Sequence, residues 1–405
     1  MGSPLAAHWT LEPSVTFLNH GSYGAAPRPV LEAQAAWRER MEREPVRFFA
    51  RDLEPALDAA REAVAAFVGA DADGLAFVPN VTHAIATVLG SLEIRPDDEL
   101  LVTDHAYNAA RNALESAAAR AGARVVVASV PFPIRGERAV EEAVLGCVSS
   151  RTRLALIDHV TSPTALRFPV ERLVPALEER GVETLVDGAH APGMVQLAVD
   201  ALGATYYAGN LHKWVCAPKG AAFLWVRPAR RETMRPLAIS HGANSPRTDR
   251  ARYRLEHDWT GTLDPTAWLA APAAIEFGAA LLPGGWPALH ARLHDLALTA
   301  RDLACDALGE PAPAPDRMLG SMAALIVPGS HPPDVARPSG LYADAMHRAL
   351  LERHAIQVAV APWPVRADRA PWHRLLRISA APYNDAADMR RLADALRDPT
   401  VHPRR

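Results

Sequence analysis

The sequence predicts an α/β fold in which helices cover a largely parallel sheet. Short apolar runs rich in Val, Ile and Leu alternate with longer amphipathic stretches, which is typical of buried parallel strands joined by helices. Seven of these runs are predicted as strands, at residues 74–79, 99–103, 124–130, 153–158, 183–187, 204–208 and 221–226. Three amphipathic stretches between them are predicted as helices, at residues 107–121, 138–149 and 170–180.

The pattern changes after about residue 228, where an irregular segment runs to residue 265. Helical patterns follow at 266–281 and 287–308, and the proline-rich residues 310–316 end the second of them. Further on, predicted strands at 321–327, 356–361 and 374–379 alternate with predicted helices at 340–354 and 386–397. We therefore expect an N-terminal segment at 1–27, a large domain at 28–285 and a smaller α+β domain at 286–405.

Composition narrows the possible partners. The 405 residues are 49% hydrophobic and carry a net charge of −3, so no basic surface is expected for nucleic acid or an anionic membrane. The start of the chain lacks a secretion signal, and no stretch has the ~18 unbroken apolar residues of a membrane helix, so we expect a cytoplasmic protein. The three cysteines, Cys147, Cys216 and Cys305, have neither metal-ligand spacing nor the number for a disulfide framework. No metal site is expected, and the partner is a small molecule or another protein.

Lysine is rare in this chain. Of 43 basic residues only Lys213 and Lys219 are lysines, and they lie close together in "NLHKWVCAPKG". Arginine cannot replace lysine where an amine has to lose its proton. Lys213 is therefore a candidate reactive amine; the alternative is a surface lysine without a chemical role.

An acidic residue ends one of the predicted strands. Asp187 follows an apolar run and precedes the tight "GAHAPG". Ligands of open α/β sheets bind beyond the carboxyl ends of the strands, so this carboxylate is placed to hold a cation. The alternative is an aspartate that caps a helix.

A predicted strand passes into a helix within "FVPNVTHAIATVL", residues 77–89. Free backbone amides and the helix dipole make such a junction an anion site, to which Asn80 and Thr82 add side-chain contacts. A reactive amine, a buried carboxylate and an anion site together favour pyridoxal phosphate (PLP). Lys213 would bond to its aldehyde, Asp187 would keep its ring nitrogen protonated, and the helix amides would hold its phosphate.

Several motifs strengthen this interpretation. They are "FLNHGSYGAAP" (17–27), "NVTHAIATVL" (80–89), "TDHAYNAARNAL" (103–114), "DHVTSPTALRFPVERL" (158–173), "LVDGAHAPG" (185–193), "YYAGNLHKWVCAPKG" (206–220), "SHG" (240–242), "DWTGTLDP" (258–265) and "RISAAPYN" (377–384). With these motifs the chain resembles the class V aminotransferase-like PLP enzymes of fold type I. The resemblance implies a large domain with a mostly parallel seven-stranded sheet, a smaller C-terminal domain and a homodimer with shared active sites.

The resemblance also implies roles for individual residues near the cofactor ring. Lys213 would carry the cofactor and Asp187 would face the ring nitrogen. His190 would donate a hydrogen bond to the phenolic oxygen, which Ser162 also approaches. Tyr107 is expected to stack on the ring, because an aromatic plate excludes water there. His105 is the alternative stacking residue.

Other residues are expected at the phosphate and the substrate. The phosphate group would be bound by Asn80, the Val81 amide, Thr82, Asn210 and His212. Arg377 would bind the α-carboxylate of an amino acid, unless it is a structural arginine. Asn19, in the N-terminal segment, would fold over the substrate, unless it belongs to an ordinary glycine-rich turn. Thr260 and Gly261 would complete the phosphate site of a neighbouring subunit.

The reaction type stays open at this point. The candidates share removal of the Cα proton with Lys213 as base, and the resemblance favours an amino-acid epimerase or racemase. Epimerisation needs a second acid, for which Tyr107 or a water near His20 is suggested. A carbon–sulfur lyase is the main alternative, followed by an aminotransferase and by a non-catalytic PLP-binding scaffold. Residues 356–376 contain no cysteine, which argues against a cysteine desulfurase.

Overall fold

The computed structural model describes residues 2–331, 342–366 and 372–401. The strands in these ranges are β1 Thr16–Phe17, β2 Leu75–Val78, β3 Glu99–Thr103, β4 Arg124–Ala128, β5 Thr152–Asp158, β6 Glu183–Gly188, β7 Tyr206–Asn210, β8 Ala222–Val226, β9 Met322–His331, β10 Ile356–Gln357, β11 Ala359–Trp363 and β12 Trp372–Ser379. The helices are α1 His20–Tyr23, α2 Arg28–Arg43, α3 Pro45–Arg47, α4 Leu53–Val68, α5 Val81–Ser91, α6 Asn108–Ala121, α7 Arg138–Leu145, α8 Val170–Glu178, α9 Val199–Leu202, α10 Pro228–Arg231, α11 Arg252–His257, α12 Thr266–Leu269, α13 Ala271–Ala280, α14 Gly285–Leu308, α15 Ala345–His354 and α16 Ala386–Arg397.

A central seven-stranded sheet has the strand order β2-β8-β7-β6-β5-β3-β4. Strands β3 to β7 pair in parallel, whereas β8 runs antiparallel to both of its neighbours. The sheet confirms the predicted α/β fold and all seven predicted strands. The parallel strands are apolar because helices bury both of their faces.

The two faces of this sheet pack into separate cores. Leu156 and Leu185 lie in the core formed with α5 and α6, whereas Ile157 and Val186 lie in the core on the opposite face. Side chains alternate between faces along a strand, so the last side chains of β5 and β6 have a determined direction. The carboxylates of Asp158 and Asp187 extend the α5 and α6 face at the carboxyl end of the sheet.

A few predicted boundaries were wrong. The predicted strand 204–208 is β7, which lies two residues further along the chain. Its pairing with β8 runs from Tyr206 to Asn210. The predicted helix 138–149 ends at Leu145, with Gly146 as its C-cap. The predicted strand 356–361 divides into β10 and β11, because β10 pairs with β1 whereas β11 pairs with β12. Residues 340 and 341 of the predicted helix 340–354 lie outside the described ranges.

The C-terminal part contains a second sheet with the antiparallel order β11-β12-β9. Its core includes residues of this sheet together with α14, α15 and α16, such as Leu325, Leu350, Leu376 and Leu392. Strand β1 pairs in parallel with β10, which attaches the N-terminal segment to this part of the chain. The domain boundaries at 27/28 and 285/286 stay a prediction.

None of the described helices is by itself long and apolar enough to cross a membrane. The pair Thr266–Ala280 and Gly285–Leu308, bent by 73°, reaches that length and composition only when its two parts are taken together.

Gly24 allows the N-terminal segment to touch the loop that carries Lys213. Its φ is 69°, and a Cβ there would overlap the carbonyl oxygen of His212 and lie 3.1 Å from Lys213 Cα. Gly203 has a similar φ of 71° but would place a Cβ in open space. Both glycines therefore need a positive φ, but Gly203 has the ψ of a left-handed helix, 19°, whereas Gly24 has a ψ of 155°. Only Gly24 adds a backbone collision.

We expect Gly24→Ala to lower the free energy of unfolding more than Gly203→Ala. The left-handed backbone of Gly203 costs an alanine ~1–2 kcal/mol. The backbone of Gly24 lies in a region that is essentially restricted to glycine, and the collision adds to that cost. Urea unfolding of both variants and the unsubstituted chain measures the difference. Equal losses would contradict a tight contact between the N-terminal segment and the Lys213 loop.

Candidate active site

Lys213 lies in the loop between β7 and β8, and hydrogen bonds fix this loop on both sides. The amides of Leu211 and His212 donate to the carbonyl oxygen of Ala221. The carbonyl oxygen of Lys213 accepts a 2.8 Å hydrogen bond from His20 Nε2. The backbone around the lysine is therefore held before any ligand arrives.

The amine of Lys213 meets a histidine whose tautomer is determined by a neighbour. Lys213 Nζ lies 3.1 Å from His190 Nε2, and Trp214 Nε1 donates to His190 Nδ1 at 3.3 Å. An indole N–H only donates, so Nδ1 is the acceptor and a neutral His190 carries its proton on Nε2. That proton points at Lys213 Nζ, which can accept it only as a neutral amine.

The electrostatic surroundings favour the neutral amine as well. Burial and the nearby Arg377 guanidinium lower the pKa of Lys213 to about 7, against an opposing effect of the Asp187 carboxylate. Burial, with help from Lys213, lowers the pKa of His190 well below its usual value. A lysine that loses its proton near neutral pH is what the predicted covalent role requires.

Asp187 lies next to this cluster near the end of β6. The side chain is 5% exposed, and its Oδ1 accepts a 3.0 Å hydrogen bond from the Ala189 amide. Burial raises the pKa of Asp187, while the Ala189 amide and Lys213 act to lower it. The carboxylate is therefore enclosed and partly compensated, as expected for a group that holds a cation.

The predicted phosphate site is at the start of α5. Asn80 caps the helix by accepting a 2.9 Å hydrogen bond from the His83 amide, and Thr82 lies exposed in the first turn. The Val81 amide donates to Asn210 Oδ1 at 3.1 Å, so two predicted phosphate ligands are bonded to each other in this structure. His212 Nδ1 lies 3.0 Å from the carbonyl oxygen of Ala221, outside these contacts.

The two candidates for the ring that stacks on the cofactor differ in how tightly the protein holds them. Both ring nitrogens of the buried His105 are engaged, with Thr164 Oγ1 at 2.6 Å and the Val130 carbonyl oxygen at 2.9 Å. Its ring also meets Trp363 edge-on, with centroids 4.8 Å apart. Tyr107 precedes α6, is 47% exposed and lies close enough to Arg377 to affect its pKa. The ring of Tyr107 is therefore more accessible to a cofactor than that of His105.

Arg377 projects from β12 as a buried cation. Its Nη1 donates to the carbonyl oxygen and Oγ of Ser162, at 2.7 and 3.1 Å, and its Nη2 donates to Ser22 Oγ at 2.8 Å and Asn19 Oδ1 at 3.4 Å. Burial lowers its pKa to about 10. In the described ranges no carboxylate forms an ion pair with it, and its Nε has no hydrogen-bond partner.

The structure therefore brings most predicted site residues together. Asn19 and Ser162 meet at Arg377, while Lys213, His190 and Asp187 form the adjacent cluster. Thr260 and Gly261 lie apart, in the loop between α11 and α12, and a Cβ at Gly261 would contact nothing within 4 Å.

Sequence reasoning missed two polar contacts of this site. Trp214 was not predicted as a hydrogen-bond donor, although its position directly after Lys213 was a signal. Ser22 was not predicted to bind Arg377, and nothing in the local pattern indicated that contact.

The fold and the site together define a class of protein. The chain is an α/β protein of fold type I, with a reactive lysine beside a carboxylate and a helix N-terminus at the carboxyl end of its sheet. These groups fit PLP: the neutral amine suits its aldehyde, Asp187 suits its ring nitrogen, and α5 suits its phosphate.

Comparisons with known proteins identify the family. The family model described as aminotransferase class V matches residues 24–392. The chain is 35% identical to isopenicillin N epimerase of Streptomyces clavuligerus over 400 residues, covering 95% of each protein. It is 30% identical to L-cysteine desulfhydrase of Arabidopsis thaliana over 420 residues, covering 97% of this chain and 89% of the relative. The chain belongs to the class V aminotransferase family, and it is a PLP-dependent enzyme.

Solved structures share the fold. A cystine C–S lyase in complex with its product cysteine persulfide has a TM-score of 0.76 at 21% identity, covering 95% of this chain and 98% of that chain. A cysteine desulfurase of Escherichia coli has a TM-score of 0.75 at 22% identity, covering 97% and 96%. Both likenesses support fold type I.

The Trp214 hydrogen bond generates a test. We expect the amine of Lys213 in the apoprotein to react with PLP with a pH midpoint near 7, because the neutral amine is the reactive form. In Trp214→Phe, His190 Nε2 is free to become an acceptor, which stabilises the ammonium and raises that midpoint. Borohydride trapping of the bound cofactor across pH measures it.

Trp225→Phe is the matched control, because Trp225 is also buried and its Nε1 has no hydrogen-bond partner among the described residues. Its midpoint should stay near 7. An unchanged midpoint in Trp214→Phe, with PLP still bound, would show that Trp214 does not set the tautomer of His190.

Proposed function

We propose that the enzyme inverts the Cα configuration of an amino acid, as an epimerase or racemase. The observation that carries this proposal is the buried Arg377 guanidinium, which forms no ion pair with a described carboxylate and lies near the neutral amine of Lys213. A buried charge is expensive unless a counterion joins it, so Arg377 favours a ligand carboxylate. An amino acid brings that carboxylate and a Cα proton to the same place.

PLP, when bound, withdraws electrons from Cα and so weakens the bonds to that atom. Lys213 would hold it covalently and Asp187 would face its ring nitrogen. His190, with its Nε2 proton fixed by Trp214, is positioned to donate a hydrogen bond. Tyr107 would cover the ring and exclude water.

Arg377 would bind the substrate carboxylate in a bidentate fork. Its two terminal nitrogens already contact four oxygen atoms, so a carboxylate oxygen would replace at least one of them. Ser22 and Asn19 already contact Nη2, while Ser162 contacts Nη1. These contacts hold the guanidinium plane in one orientation, which fixes the bound carboxylate and therefore the direction of the Cα–H bond.

Inversion requires two proton-transfer groups. Lys213 Nζ, once the substrate amine has displaced it and it is again a free neutral amine, would remove the Cα proton. The phenol of Tyr107 would return a proton from the opposite side. His20 is less suitable, because its Nδ1 lies 2.7 Å from the Tyr383 hydroxyl, its Nε2 donates to the Lys213 carbonyl oxygen, and burial lowers its pKa to about 4.

The comparisons supply support for this function and for one alternative. The epimerase relatives are 35% and 36% identical and cover at least 95% of the chain. Relatives described as cysteine desulfhydrases are 30–33% identical, which favours a carbon–sulfur lyase as the second candidate. A thiol nucleophile has less support, since burial raises the pKa of Cys216 to about 12.

A panel of amino acids in deuterated water separates these reactions. An epimerase incorporates deuterium at Cα in both configurations, a lyase releases the β-substituent with pyruvate, and an aminotransferase forms a keto acid only with an acceptor. Pyruvate release from amino acids that carry a β-leaving group, together with no inversion of any amino acid tested, would overturn the epimerase proposal in favour of the lyase.

For a substrate that is inverted, Tyr107→Phe separates the two proton transfers. We expect this variant to keep deuterium exchange with retention, through Lys213, and to lose inversion by roughly 100-fold, since a general acid typically contributes 10²–10⁴-fold. Tyr23→Phe is the control, because Tyr23 is also exposed, directly follows the Arg377 partner Ser22 and interacts electrostatically with Tyr107, and it should keep inversion. Inversion that survives in Tyr107→Phe and fails in Tyr23→Phe would assign the second proton to Tyr23.

We also propose that two copies of the chain share their active sites through Thr260 and Gly261. Thr260 and Gly261 are partly exposed, and among the described residues no hydrogen bond joins them to the Lys213 cluster of their own chain. Three apolar side chains in residues 237–263, Leu237, Ile239 and Leu263, are also exposed. A second copy that covers these side chains would bring the loop to a neighbouring α5.

Mixed dimers test this sharing. Lys213→Ala and Thr260→Asp should each be inactive alone, the second because its carboxylate repels phosphate. Refolding an equal mixture should restore about one quarter of the sites, since half the dimers are mixed and each has one intact site. No recovery from chains that form mixed dimers would contradict sites shared in this way.

A further inference from the structure

Two carboxyl groups lie side by side at the cofactor end of the sheet. Asp158 on β5 and Asp187 on β6 are register partners in a parallel pair of strands. Register partners point to the same face, and neighbouring strands are only about 4.8 Å apart. The two residues are 3% and 5% exposed, so water does little to screen one from the other.

Their surroundings differ. The carboxylate of Asp187 accepts a hydrogen bond from the Ala189 amide and is stabilised by the positive charge of Lys213. Asp158 Oδ2 is enclosed without a hydrogen-bond partner, and within the described ranges no basic side chain forms an ion pair with Asp158. Among the residues that the structure describes, its own backbone amide and that of Tyr107 act to favour its charged form.

Two adjacent buried carboxylates cannot both stay ionised at low cost, so such a pair retains a proton. The proton belongs on the member with weaker compensation, which is Asp158. Burial and the charge of Asp187 accordingly raise the pKa of Asp158 well above its usual value.

We propose that Asp158 is a positioning residue of the PLP site, kept neutral so that the carboxyl pair presents one negative charge, located on Asp187, to the ring nitrogen. This inference rests on the proposed role of Asp187. A neutral acid occupies the space beside that carboxylate without adding a second charge, so Asp187 alone determines how strongly the ring is held in its protonated form.

Infrared difference spectroscopy of the apoprotein tests whether the carboxyl pair retains a proton. Asp158→Asn preserves the size and neutrality of the side chain. Subtracting its spectrum from that of the unsubstituted chain at pH 7 should leave the carbonyl stretch of a protonated carboxyl group. A difference that consists of carboxylate bands would overturn the proposal.

The pH dependence of stability gives a second measurement on the same variant. Above pH ~4 the unfolded chain ionises Asp158 while the folded chain keeps its proton, so stability falls with rising pH until the folded group ionises. Asp158→Asn has no such group to ionise and therefore does not lose stability in this way. The difference between its urea midpoint and that of the unsubstituted chain should increase, in favour of the variant, from pH 5 to pH 8. Charged groups near Asp158 are Asp187 on β6 and, beyond it, Lys213 after β7, and both remain in the variant. An advantage that does not change with pH would refute a neutral Asp158.

The bound cofactor can be used to measure how each carboxyl group affects the protonation of the ring nitrogen. With ¹⁵N-labelled PLP bound, the ring-nitrogen chemical shift should be the same in Asp158→Asn as in the unsubstituted holoenzyme, and should move in Asp187→Asn. A shift in Asp158→Asn of similar size would show that Asp158 was ionised. No shift in Asp187→Asn would instead refute the role of Asp187, while the infrared result on Asp158 would still stand.

Discussion

The hydrogen bond between Lys213 Nζ and His190 Nε2 is the interaction on which the rest of the site depends. It is possible in this form only because Trp214 donates to the other nitrogen of the imidazole ring. The indole thereby fixes the histidine tautomer, and the histidine in turn favours a neutral amine. A chain of two hydrogen bonds between residues 23 and 24 positions apart in sequence thus prepares the lysine for covalent chemistry.

The sheet supplies the frame for this arrangement. Because β5, β6 and β7 run in parallel, their carboxyl ends bring Asp158, Asp187 and the Lys213 loop to one edge. Successive side chains of a strand point to opposite faces of the sheet, and this places both carboxyl groups on the face covered by α5 and α6. The charge balance of the site follows from strand register, since a shift by one residue would turn either carboxylate to the opposite face.

Much of the fold could be predicted because apolar runs and turn residues are local signals. Lys213 and Asp187 were found in the same way, from residue type and position at a strand end. The bond between Asn210 and the Val81 amide joins residues 129 positions apart, and no local pattern encodes it. Asp158 ends a predicted strand just as Asp187 does, so its signal was present, but its relation to Asp187 required the strand order. Contacts made by a second chain, such as those expected for Thr260, lie beyond the reach of one chain's sequence pattern.

The pairing of β1 with β10 has a mechanical consequence. It fastens the beginning of the polypeptide to its last third, and both Ser22 and Arg377, the two ends of one 2.8 Å hydrogen bond, belong to that fastened body. His20 anchors the same body to the lysine loop through its bond to the Lys213 carbonyl oxygen. A displacement of the small sheet relative to the large one would carry Ser22 and Arg377 together. It would also strain the bonds from Arg377 to Ser162 and from His20 to the Lys213 carbonyl oxygen.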